Sequence, residues 1–270
     1  MKTAITAPSN KLEGQIGSVG VAIGGWRYEP PKPFDISLAE FRRLSYEVVA
    51  SLQKEVRRLC SRQIEDAWKR GMRQVVIVNN KVIFETKDIE DIPNEKIRAL
   101  AEEHRKPCYT FTAPDLVEES GWTMVDSDDH YPTLGLYVGP EDSKESSLEN
   151  FFPVDADFDT GNPNLKVFDA SRLRGDLSQF DALDLRETEH FGKPYSFYQK
   201  KVKICVRDES NKIHSVVTRV RLVRDWAGCG LLQYSPNRTG FVGRDMLHLL
   251  RIKAELDPTK RVTRVYGISS

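Results

Sequence analysis

The sequence predicts an α+β N-terminal domain followed by a mainly-β domain with one helix near its C-terminal end. Three observations carry that reading. Between Ser37 and Gly71 apolar residues return every three to five positions, the spacing of a helix face. From Tyr131 onward short alternating or apolar runs are separated by turn residues, the pattern of strands. A single amphipathic stretch, GRDMLHLLRI at 243–252, interrupts that β texture late in the chain.

Residues 1–36 are rich in Gly, Pro and Ser and read as an irregular arm. GSVGVAIGG (17–25) lacks both the GK[ST] ending and the preceding strand of a phosphate loop, so an apolar arm against a neighbouring surface is expected. Residues 37–113 form the α+β domain. Ser37 and Glu40 make a capping-box pattern. Phe41, Leu44, Val48, Leu52, Val56, Leu59, Ile64 and Trp68 make the apolar stripe of one long helix, and Gly71 stops it. VVIV and KVIFE flank Asn79-Asn80 as a hairpin, because Asn tolerates the positive φ of a two-residue turn. A short helix and the strand CYTFT (108–112) complete this unit.

Residues 114–130 are acidic and turn-rich and read as a linker. Asp126, Asp128, Asp129 and His130 fit no defined metal site, and the glycine of a calcium loop is missing. Residues 131–270 form the β domain, from TLGLYVG through FFPVDADFD, YSFYQKKVKICVRD and HSVVTRVRLVRD to RVTRVYG.

Forty Lys plus Arg balance forty Asp plus Glu, so no global field draws the chain to nucleic acid or anionic lipid. No apolar run reaches the ~18–20 residues of a membrane span, and MKTAITAPSNKLEG lacks the apolar core of a secretory signal. Cys60, Cys108, Cys205 and Cys229 form no CxxC pair and read as reduced thiols of a cytoplasmic protein. His190 and His214 are expected at the surface. No cofactor or metal is expected.

The segment FDTGNPN (158–164) concentrates unusual instructions. Phe152, Val154, Ala156 and Phe158 alternate along a strand that leads to Asp159. Thr160, Gly161 and the Asn162-Pro163-Asn164 turn follow, and TGFVGRDML returns at 239–247.

Phe158-Asp159-Thr160-Gly161 together with Phe241-Val242-Gly243-Arg244-Asp245 and the MLHLLRI helix resembles the retropepsin-like aspartic proteases, the single-domain relatives of retroviral proteases. The resemblance covers about residues 131–265. It implies a retropepsin-like acid protease domain in which Asp159 is the catalytic carboxylate. The chain contains one DTG and no DSG. Aspartic catalysis needs two carboxylates sharing a proton around one water, so the resemblance implies a homodimer with Asp159 from each subunit. Peptide or protein is then the substrate, and neither nucleic acid nor membrane is a partner.

The resemblance also assigns supporting roles. Thr160 bonds across the two-fold axis, Gly161 admits the substrate backbone, and Phe158 anchors the loop from beneath. Asn162 borders the substrate, where the family usually has Ala or Ser. RETEHFGKPYSFYQ (186–199) is the flap, with Gly192 at its tip and Tyr195 or Tyr198 leaning on the peptide. Gly243, Arg244 and Asp245 are structural. Pro163 stands where retroviral enzymes carry an Asp that pairs with the Arg of the second motif, which leaves Asp245 or a carbonyl as partner for Arg244. Two other readings stand beside these: Asp159 as an Asx turn capping its own loop, and the whole chain as a dimeric peptide-binding scaffold without turnover.

Overall fold

The computed structural model describes residues 31–88, 90–114, 132–145, 148–173, 177, 179–190, 192–233, 238–257, 259–260 and 262–268. The arm before residue 31 and nearly all of the acidic 114–130 stretch, with its Asp and His residues, lie outside them.

The long helix expected over 37–70 is three: α1 (Leu38–Phe41), α2 (Tyr46–Leu59) and α3 (Ser61–Lys69). The Ser37–Glu40 capping box forms as expected. The breaks follow from the period of the apolar stripe. Leu59 to Ile64 is a step of five, too long for a turn of 3.6. The buried stripe instead runs Val49, Leu52, Val56, Cys60, Ile64, Ala67. Cys60 therefore takes the inward place, and Leu59 is 46% exposed. Gly71 ends the helical run at φ +80°.

Next come β1 (Gln74–Val78) and β2 (Lys81–Thr86), antiparallel across Asn79 and Asn80. Both asparagines sit in the left-handed region, at φ 48° and 60°, as a mirror-image hairpin turn requires. The helix α4 (Asn94–His104) and the strand β3 (Tyr109–Thr112) complete this lobe. Its core is made by the inner faces of α2, α3 and α4 against β1 and β3.

The rest of the chain is β-rich. The strands are β4 (Thr133–Pro140), β5 (Phe152–Asp159), β6 (Lys166–Asp169), β7 (Leu185–His190), β8 (Lys193–Arg207), β9 (Ile213–Val223) and β10 (Gly240–Gly243). The order β8-β4-β5-β10-β6-β9, with β8 also paired to β9, closes a six-stranded barrel. A small helix, α5 (Asp245–Leu250), and a ribbon of β11 (Ile252–Asp257) and β12 (Val262–Gly267) follow. The late helix is shorter than expected: Arg251 turns left-handed at φ 54°, and Ile252 already begins β11.

Lobe and barrel share one sheet, because β7 pairs in parallel with β3 (Thr110 with Arg186, Phe111 with Glu187) and antiparallel with β8. Residues 32–270 form one contact unit. No described helix is long and apolar enough to cross a membrane.

Candidate functional site

Strand alternation sorts the barrel residues onto two faces. Val154, Ala156, Phe158, Phe168, Tyr198, Leu222 and Val242 form the interior core. Their neighbours Val167, Phe197, Val223 and Phe241, joined by Leu165, Tyr195, Trp226, Cys229 and Leu231, form a separate apolar cluster on the outer face. On β5 the same alternation turns Asp155, Asp157 and Asp159 outward. β5 and β10 are parallel, with Phe241 opposite Asp157 and Gly243 opposite Asp159. Asp159 therefore ends its strand on the face that carries the outer cluster.

The loop after Asp159 is held by backbone N–H donors that bond to carbonyls and to the side chains of Asp159 and Asn162. Gly161 N donates to Asp159 Oδ1 at 2.9 Å, and Asn162 N donates to the Asp159 carbonyl at 3.2 Å. This is the Asx turn weighed above, and it also fixes where the carboxylate points. The 243–245 segment then stitches into the loop. Gly243 N donates to Leu165 O (2.6 Å), Arg244 N to Asn162 O (3.0 Å) and Asp245 N to Pro163 O (3.1 Å). Gly243 is required by that closeness: a Cβ there would lie 2.6 Å from Asn162 O and 2.8 Å from Leu165 N. Both are backbone atoms that cannot swing aside.

Phe158 is buried in the interior core, beneath the loop as expected. Asp159 and Thr160 are half-buried, and Gly161 is buried. Among the described residues Asp159 has no ion-pair partner. Arg244 reaches the Thr160 carbonyl with Nη1 at 3.4 Å, the carbonyl alternative left open by Pro163. Asp245 pairs with Lys166 instead. Burial pushes the Asp245 carboxyl up, and Lys166 opposes the shift.

Three expectations are corrected. Asn162 does not border an open cleft: it is 1% exposed. Its Oδ1 accepts from Asn164 N at 3.1 Å and Leu165 N at 3.0 Å, so the side chain holds the turn from inside. Tyr195 and Tyr198 do not lean outward, because alternation sends both into cores. Tyr195 joins the outer cluster at 5% exposure, while Tyr198 is fully buried and donates its hydroxyl to Leu177 O at 3.3 Å. The histidines are not at the surface. His190 is 7% exposed, and His214 bonds Asp208 at 2.8 Å with its side chain 10% exposed.

The 186–199 segment does form a hairpin, β7–β8, with Gly192 in its turn at φ +75°. Its end rests on a short turn, where a Cβ at Gly230 would lie 2.9 Å from Lys193 Cβ and 3.0 Å from His190 O. Sequence reading missed the buried Asp157, held by Arg238 at 3.1 Å. Trp226 donates its indole N–H to the carbonyl of the same Arg238 at 2.8 Å. The strand alternation that points Asp159 outward also points Asp157 outward, so the signal was present for one of the pair.

All four cysteines are buried, and none is in a disulfide. Burial pushes the Cys108 thiol up to about 12 and the Cys205 thiol up to about 11, which leaves little thiolate for chemistry. Among the described residues no three His, Cys, Asp or Glu side chains gather into a metal site. No protein-family model matches the chain, and comparison with curated proteins finds no match.

Proposed function

We propose that the chain is a cytoplasmic aspartic endopeptidase of retropepsin-like fold that works as a homodimer, hydrolysing peptide bonds between two Asp159 carboxylates, one per subunit. The observation that supports this reading most is the stitching of the Asp159 loop to the end of β10. It fixes an outward carboxylate, with Thr160 beside it, both only half-buried in one chain and thus accessible to a second copy. A strand ending at Gly243 and opening a short helix agrees with the arrangement that the resemblance implies. Among the described residues β11 pairs with β12 alone, which leaves backbone groups on its other edge for a second copy. Four thiols outside any disulfide fit a reducing compartment.

The chemistry requires the pair. Two carboxylates at roughly 3 Å cannot both ionise, so together they hold one proton. The ionised one takes a proton from water as the water oxygen adds to the peptide carbonyl carbon. The protonated one gives its proton to the carbonyl oxygen. Collapse of the resulting diol breaks the C–N bond, and the amine leaves with a proton from the dyad. Those titrations belong to the dyad rather than to either copy of Asp159.

One observation favours a second reading, a dimeric peptide-binding scaffold without turnover. The outer face beside Asp159 is filled by the chain's own Trp226, Cys229 and Leu231, and the covering hairpin is paired into a larger sheet. The separating experiment exposes wild type and Asp159→Asn to a diverse peptide pool, with the oligomeric state measured in parallel. The protease reading expects a dimer and a loss of at least about a thousand-fold in the variant. A strictly monomeric protein, or equal peptide turnover by both forms, sinks it.

A further inference from the structure

The β7–β8 hairpin packs Tyr195 and Phe197 into the apolar cluster on the barrel face to which Asp159 points, and its outer strand is gripped at nearly every residue by the lobe of residues 37–113. Ahead of β7, Asp184 takes both of its oxygens to Arg98 Nη2 of α4, at 3.0 Å each. Arg186, fully buried, donates to Ile92 O at 2.6 Å and to Asn94 Oδ1 at 2.7 Å. Arg57 of α2 spans Glu187 and Glu189, at 3.0 Å to each. Thr188 Oγ1 donates to Ala113 O at 3.1 Å. Behind the hairpin, Arg221 of β9 pairs with Asp91 at 3.1 Å and stacks over Phe197 at 4.7 Å.

A hairpin that only sheltered a groove would leave its outer edge to solvent. Here that edge carries a parallel strand, and every charged side chain on β7 before the turn has a partner across the junction. Arg57 is the central tie. Glu187 is 1% exposed, and Arg57 is the cation set against it. Glu187 and Glu189 stand two apart on one face of the strand, so without Arg57 they would repel each other. Releasing the hairpin therefore needs the junction to open.

We propose that the lobe of residues 37–113 is a latch: it holds the β7–β8 hairpin down over the Asp159 face and keeps turnover low until the junction loosens. This rests on reading Asp159 as a hydrolytic site. The hold on the hairpin itself can be measured without that reading.

The test uses the full chain with Arg57→Met, which keeps side-chain volume and removes the charge. Amide hydrogen exchange is followed over 185–199 and over the barrel strand 152–158, together with cleavage of a mixed peptide pool. The latch expects exchange in 185–199 at least ten-fold faster with 152–158 unchanged, and cleavage raised several-fold in a manner abolished by adding Asp159→Asn. Should Arg57→Met fail to fold, Thr188→Val with Glu189→Gln removes two outer ties and is expected to give about three-fold faster exchange in the same segment. Unchanged exchange in 185–199, a joint rise across hairpin and barrel, or faster exchange with cleavage no higher than a measurable wild-type level overturns the latch. Faster hairpin exchange with no cleavage by any form leaves the hold standing and removes the protease reading.

Discussion

The loop at Asp159 and the junction at β7 are fixed by opposite means. The loop is stitched by backbone N–H groups within one short stretch and its sequel at 243–245. The junction is fixed by long charged side chains from segments distant in the chain: Arg57, Arg98, Arg186 and Arg221 against Glu187, Glu189, Asp184 and Asp91. Backbone bonds do not titrate. Buried ion pairs do, and burying them works against their own attraction. Arg186 shows the strain on the second strategy. Burial pushes it down to about 10, and its Nε and Nη1 find no hydrogen-bond partner among the described residues. The molecule thus has a site loop closed by short-range amide N–H bonds under a cover held by long-range ionic contacts.

The backbone interlock is most vulnerable at Gly243. Gly243→Ala would set a methyl 2.6 Å from the Asn162 carbonyl oxygen, and no rotamer relieves it. The expected loss is about 3 kcal/mol or more, the range of overpacking against immovable atoms. Urea unfolding measures it. A loss under about 1 kcal/mol would mean that the two segments are not interlocked.

A smaller effect with a definite pH signature belongs to the junction. Asp184 is pushed up to about 6, chiefly by burial; Arg98 pulls it down, and Asp181 adds to the rise. The unfolded value is about 3.9. The folded protein therefore binds this proton more tightly than the unfolded chain. The favourable contribution is fully present below about pH 4 and disappears as pH rises through 6. In Asp184→Asn that dependence is absent. The variant should gain on wild type between pH 4 and pH 8 by about 3 kcal/mol, the equivalent of a carboxyl raised from about 3.9 to about 6. Paired unfolding curves across that range give the difference. A flat difference would show that Asp184 meets solvent in the folded chain.

Legibility follows the same division. The capping box at Ser37, the Asn79-Asn80 turn, the β5 alternation and the Gly243 end of β10 were readable because each depends on residues within a few positions of one another. Leu59 misled the reading, since one step of five shifts the inward place to Cys60. Asn162 was misassigned because its two amide partners lie on the inside of a turn whose direction three letters do not specify. Tyr198 was misassigned because an aromatic on a hairpin can face either side until its register is known. The junction was illegible altogether. Nothing in Arg57 or Arg186 announces a partner more than 90 positions away, and the parallel pairing of β3 with β7 depends on how two cores meet.

Asn162 joins the two halves of the loop. Asn162→Ala removes the acceptor for Asn164 N and Leu165 N, and Leu165 is 3% exposed. Leaving a buried N–H unsatisfied costs about 1–3 kcal/mol, so the single variant should lose about 2. The double variant with Gly243→Ala decides more. The Asn162 carbonyl is the atom that a Cβ at 243 would strike and also the acceptor for Arg244 N. Once the Asn162 side chain is gone its turn can yield, and the added methyl should then be tolerated better. The two losses should fall short of additivity by about 1 kcal/mol, as for residues in direct contact. Strict additivity would mean that the loop and the end of β10 are held independently, and the carboxylate of Asp159 would then owe its position to β5 alone.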